Sequence, residues 1–250
     1  MSRLPEVVHL STSQSLRRLD LPLLKQLSRY VKTSQWEYCQ EQDEPSSMET
    51  ALALLHDYLK REDRPVHLIG HSTGGLLGIM YAQKYPDLVQ SLTILAVGVH
   101  PAIDWKVHYY KQRNLIPYSR EIALTQMAMS LFNCQDRYTL KRFVEALEKD
   151  LDNSLSPHSL FQQAKICPSE VPVPLLVCGS LDDYVIDAKA LQTWLLWFKQ
   201  GDRLWECPQG NHFFHYFYPQ DVCEQIIQFW NTLSYPLETL APMEFLNMRS

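Results

Sequence analysis

Ser72 stands between two glycines in Gly70-His71-Ser72-Thr73-Gly74. A short apolar run, Val66 to Ile69, broken only by His67, leads into Gly70, and from Gly74 onward apolar residues recur at helical spacing. The stretch therefore reads as strand, sharp turn and helix, with Ser72 at the bend. A hydroxyl on such a bend is held clear of the backbone, and the first N–H groups of the following helix point toward whatever it attacks. The turn calls for glycine on both sides, because a Cβ at Gly70 or Gly74 would crowd the strand and helix that meet there. The chemistry this suits is nucleophilic attack by the serine oxygen. Such a hydroxyl needs a base to take its proton, and the base needs a carboxylate to orient it.

Two later loops hold those residue types. Gly179-Ser180-Leu181-Asp182-Asp183-Tyr184-Val185 follows the apolar run from Leu175, and Pro208-Gln209-Gly210-Asn211-His212-Phe213-Phe214 follows Leu204-Trp205-Glu206-Cys207. The Gly70 to Gly74 segment resembles, position by position, the nucleophile elbow of the α/β-hydrolase family, and the two loops are similar to that family's acid and histidine loops. In the family, a glycine ending the strand is followed three residues on by the acid. A glycine also stands two residues before the histidine, with an aromatic directly after it. The resemblance thus implies Ser72 as nucleophile, Asp182 as acid and His212 as base, in the chain order of that fold. Asp183 is the neighbouring alternative for the acid, and Asp104, past the fourth strand, stands where some members carry it. The implied oxyanion donors are the backbone N–H of Thr73 and one from the loop after the first strand, at Ser13 or Thr12. The sequence departs from the family in that loop, where Leu10-Ser11-Thr12-Ser13-Gln14 replaces a His-Gly pair. The usual Gly-rich stretch after the next strand is also replaced, by Gln40 to Pro45.

Strands are expected at 6–11, 35–39, 66–70, 92–97, 175–179 and 204–207, and a first helix over 20–32. Ser46-Ser47-Met48-Glu49 reads as a capping box with Ser46 as the cap, opening a helix through about Leu59. This alternation predicts an α/β fold, a doubly wound and mostly parallel sheet of about six strands, in one domain over 1–250. The family resemblance implies the order 2-1-3-4-5-6, without the antiparallel strands that usually open the family's sheet. Between Val97 and Val173 the strands give way to helical patterns at 121–132, 138–151 and 157–165. This predicts a helical lid inserted at about 100–172, beyond the strand ends where open α/β sheets bind ligands. Its Trp105, Tyr109 and Met127, with His71 of the elbow, are candidates for a substrate pocket; packing within the lid's own core is the competing role. The tail from Pro236 reads as a surface strap.

A chain of 250 residues with net charge −5 and scattered Lys and Arg provides no basic stripe for nucleic acid. No apolar run approaches the ~18 residues of a membrane span, and no charged lead precedes an apolar signal core. The six cysteines form no Cys-x-x-Cys pair, which suits a cytoplasmic or other reducing soluble compartment. His212 and His215 lack a third metal-type ligand, so no metal is expected, and no cofactor is implied. The expected function is a serine hydrolase that cleaves a carboxylic ester or thioester with an apolar part. Its rivals are a non-catalytic relative that binds a small ligand or a protein, and a same-scaffold perhydrolase, C–C hydrolase or lyase. The natural substrate and the oligomeric state are not legible in the sequence.

Overall fold

The computed structural model describes residues 6–39, 47–62, 64–100, 102–134, 136–156 and 169–234. β1 (Val7–Ser11) leads through α1 (Leu21–Leu27) to β2 (Thr33–Glu37), and α2 (Met48–Leu59) leads to β3 (Val66–His71). α3 (Thr73–Lys84) connects β3 to β4 (Val89–Leu95), after which α4 (Trp105–Leu115), α5 (Arg120–Phe132) and α6 (Arg137–Asn153) intervene before β5 (Leu175–Ser180). α7 (Ala188–Gln192), β6 (Arg203–Cys207), α8 (Phe214–Phe217) and α9 (Pro219–Ser234) complete the described chain. The six strands form one sheet in the order β2-β1-β3-β4-β5-β6, and every neighbouring pair is parallel.

Period-two alternation along the strands sorts the core into two layers. Val8, Leu10, Leu68, Leu92, Ile94, Leu175 and Val177 join the cluster built with α2, α3 and the helices after β4. Val7, Ile69, Leu95, Leu176 and Cys178 join Leu23 and Leu27 of α1 and Val222, Cys223, Ile226 and Phe229 of α9. Covered on both faces, β1 and β5 are buried along their whole length, as expected for strands of a parallel sheet. The register pairs Leu10 with Gly70, Gly70 with Ile94, Leu95 with Cys178 and Ser180 with Cys207. The ends of β1, β3, β4, β5 and β6 therefore meet at one edge of the sheet.

Several expectations need adjustment. The cap of α2 is Ser47, whose hydroxyl accepts from the N–H of Thr50 at 3.2 Å; Ser46 lies outside the described residues. β2 begins two residues before its predicted start, and α1 ends at Leu27 rather than Lys32. α4 was not expected as a helix, because its sequence is mostly polar; its start is set by Asp104, which accepts from the N–H of Val107 at 3.1 Å. The predicted helix at 157–165 and the strap from Pro236 lie outside the described residues.

Candidate active site

Ser72 has φ 48° and ψ −120°, a left-handed geometry rare for a side chain with a Cβ. It is held by hydrogen bonds on both sides: its N–H donates to Leu95 O at 2.9 Å, and its carbonyl accepts from Leu76 N at 3.0 Å. A Cβ on Gly70 would fall on the carbonyl of Gly74, and one on Gly74 would fall on the carbonyl of Leu10. A serine before a helix ordinarily caps it with its side-chain oxygen. Ser72 makes no such bond, so its hydroxyl is not consumed by the helix.

His212 is fully buried, and its Nδ1 lies 2.9 Å from Oδ2 of Asp183. An ionised carboxylate only accepts hydrogen bonds, so Nδ1 carries a proton toward Asp183, and in the neutral ring Nε2 presents a lone pair. Among the described residues that Nε2 has no hydrogen-bond partner, so the link from Ser72 to His212 is open in this structure. The carboxylate at the histidine is thus Asp183 and not Asp182, the residue that family spacing selects. The cause is the length of β5: Gly179 does not end the strand, which continues through Ser180 paired with Cys207. Every residue after it is displaced by one. Asp183 is 5% exposed, and its other oxygen accepts from Val185 N at 2.7 Å.

Asp182 serves the loop instead. Its Oδ1 accepts from Ser180 Oγ at 2.6 Å and from Asn211 N at 2.8 Å, and its Oδ2 accepts from Gly210 N at 3.3 Å. It ties the residues just before His212 to the end of β5. Asp104, the other alternative, is occupied as the cap of α4 and by Ser156 Oγ at 3.0 Å, and it makes no bond to His212.

A cleft of about 40 Å³ opens beside Ser72. Ser13, Thr12 and Thr73, expected to hold the oxyanion donors, all line it, as do His71 and Trp105. Tyr109 and Met127 do not; both are buried in the core of the helices that follow β4. Leu10, Leu16, Leu155 and Phe213 supply further apolar wall, and Asp20, Asp104, Lys106 and Asp150 supply charge. Lys106 is 3% exposed, donating to the carbonyls of Asp150 at 2.8 Å and Ser154 at 3.0 Å and lying 3.6 Å from Oδ2 of Asp150. The same Oδ2 accepts from Trp105 Nε1 at 3.0 Å.

Sequence reading missed a polar cluster beneath the elbow. His71 Nε2 donates to the carbonyl of His212 at 2.9 Å, and its ring lies 4.5 Å from that of His215. His215 Nε2 donates to Asp20 Oδ1 at 3.0 Å, and His9 Nε2 is 3.8 Å from the same oxygen. Burial, reinforced by His215 and His212, holds the pKa of His71 well below the ordinary histidine range. Burial lowers that of His9 against the opposing pull of Asp20. The cluster had a signal in the odd numbering of His67, Ile69 and His71, which share one strand face with His9. Asp20 gave none, since an aspartate before a helix reads as a cap, and here its side chain makes no cap hydrogen bond. Among the described residues no group of three His, Cys, Asp or Glu side chains is arranged to hold a metal ion.

A family model described as the alpha/beta hydrolase fold matches residues 49–124. The chain is 46% identical over 227 residues to the uncharacterized protein sll0249 of Synechocystis sp., covering 91% of this chain and 90% of that protein. The chain belongs to the α/β-hydrolase fold family. Naproxen esterase (carboxylesterase NP) from Bacillus subtilis is similar in structure, with a TM-score of 0.70 at 18% identity over 92% of this chain and 85% of that one. Carboxylesterase CesB from the same organism gives a TM-score of 0.66 at 12% identity, with 92% and 85% covered. At such identities these two likenesses establish the fold.

Proposed function

We propose that this α/β-hydrolase family member is a serine hydrolase acting on carboxylic esters or thioesters, with Ser72, His212 and Asp183 as its triad. The observation that carries the reading is the buried His212–Asp183 pair, which leaves Nε2 of His212 without a hydrogen-bond partner among the described residues, at the sheet edge that bears Ser72. In the proposed reaction Ser72 Oγ attacks the carbonyl carbon while His212 Nε2 takes the hydroxyl proton. Asp183 holds the ring and stabilises the imidazolium. The oxyanion is received by the N–H of Thr73 and one from Ser13 or Thr12, which line the same cleft. The imidazolium then protonates the departing alcohol or thiol, and a water activated by the same ring releases the acid.

The small volume of the cleft, about 40 Å³, supports a short acyl part. Leu10, Leu16, Leu155 and Phe213 suit that part being apolar. α4, α5 and α6 would be the lid. The open Ser72–His212 link favours one rival, a non-catalytic relative that binds a ligand in the same cleft. A small fluorophosphonate separates the two: stoichiometric labelling seen by intact mass, and lost in Ser72→Ala, is expected of the hydrolase. A folded protein that takes no label at all would support the binding module.

A further inference from the structure

We propose that the groove between the turn at Gln14–Leu19 and α6 receives an anionic group carried by the substrate, an inference that rests on the hydrolase reading above. The groove encloses about 760 Å³, within the range of small-molecule sites. It is lined by Arg17, Arg18, Arg142 and Lys149 against the single carboxylate of Glu145. That local excess is opposite in sign to the whole chain, whose net charge is −5. Arg17 is engaged by Glu37 at 3.0 Å, so Arg18, Arg142 and Lys149 remain against the carboxylate of Glu145. Arg142 lies 6.0 Å over the ring of Tyr138, a contact that leaves its charge in place. Guanidinium forks match the paired oxygens of carboxylate and phosphate, and an ammonium adds a point charge. Leu16, Leu19, Phe143 and Tyr216 supply apolar wall for the chain that would carry the anion.

The groove adjoins the cleft at Ser72. Leu16 lines both, and α6 turns Lys149 to the groove and the next residue, Asp150, to the cleft. The cleft, at about 40 Å³, is far smaller than the groove. In the proposal, the longer arm of a substrate attacked by Ser72 passes Leu16, the residue that lines both, into the groove. Its positive lining selects an arm ending in an anion and disfavours one ending in a cation.

The test uses three acetyl thioesters whose hexyl thiol arm ends in a carboxamide, a carboxylate or a phosphate. In low salt, kcat/KM for an anionic arm is expected to exceed that for the carboxamide by about tenfold or more. Added salt should erode that ratio, because the cations are exposed. Arg142→Glu/Lys149→Glu should bring the ratio to unity or below, and a phosphate preferred over a carboxylate would assign the groove to phosphate. Calorimetric titration of Ser72→Ala with the same three compounds ranks them without turnover, and the same order is expected. Equal affinity of the Ser72→Ala protein for all three would overturn the groove, whatever the wild type turns over. An intact ranking with no fluorophosphonate labelling of the wild type would overturn the hydrolase reading and keep the groove as an anion site.

Discussion

Asp182 and Asp183 are adjacent in sequence and differ in everything they touch. Asp183 gives one oxygen to the His212 ring and the other to a backbone N–H, whereas Asp182 spends both on the loop that carries His212. Their substitutions should therefore separate chemistry from folding. Asp183→Asn is expected to lower kcat about a thousandfold to ten-thousandfold with little loss of stability, since the amide preserves the shape but admits the wrong tautomer. Asp182→Ala removes acceptors from two backbone N–H groups and a buried hydroxyl. It should cost about 1–3 kcal/mol in stability, read as a lower urea midpoint, with a smaller effect on kcat than Asp183→Asn. A larger loss of kcat in Asp182→Ala with unchanged stability would reverse the assignment.

At the scale of elements, α4 and α6 are joined through a buried charge pair. Lys106 and Asp150 are each at most 3% exposed, so neither ion keeps water when its partner is lost. Asp150→Ala leaves a buried ammonium with two carbonyls and deprives Trp105 of its acceptor. The expected loss is about 3–5 kcal/mol by urea denaturation, and Lys106→Met/Asp150→Leu should recover much of it, because removing both charges also removes the desolvation cost. The elbow is a second junction of elements. Gly74→Val places side-chain atoms on the carbonyl of Leu10, at the contact between β1 and α3. The variant is expected to be poorly folded rather than inactive and stable, a distinction that circular dichroism and intact-mass labelling make together.

The whole molecule should weaken as acid is added, through the histidines that fill the face of the sheet toward α1 and α9. Burial lowers the pKa of His9 and of His71, and brings that of His67 down to about 4. Above the ordinary value near 6.5 these groups are neutral in both folded and unfolded chains and add no pH dependence. Below it, the unfolded chain takes up protons that the folded chain refuses, so stability falls with falling pH; for His67 the fall ends near pH 4. The slope is about 1.4 kcal/mol per pH unit for each fully buried histidine and less for the partly exposed His67. Urea midpoints measured at intervals from pH 7 to pH 4.5 should therefore decline steadily, and a flat profile would contradict the buried cluster. The sequence by itself determined the alternation of strands and helices, the bend at Ser72 and the sheet-edge loop of His212. Glycine spacing and apolar periodicity are local, and together with the family resemblance they gave the strand order. Only the tertiary structure decided which of two adjacent aspartates faces the histidine, because that depends on β5 pairing with β6 one residue past Gly179. It alone brought Asp20 to His215, and Lys106 to Asp150, across separations of 195 and 44 residues. A buried charge is stable only where another element supplies its partner, and no local pattern records which element that will be.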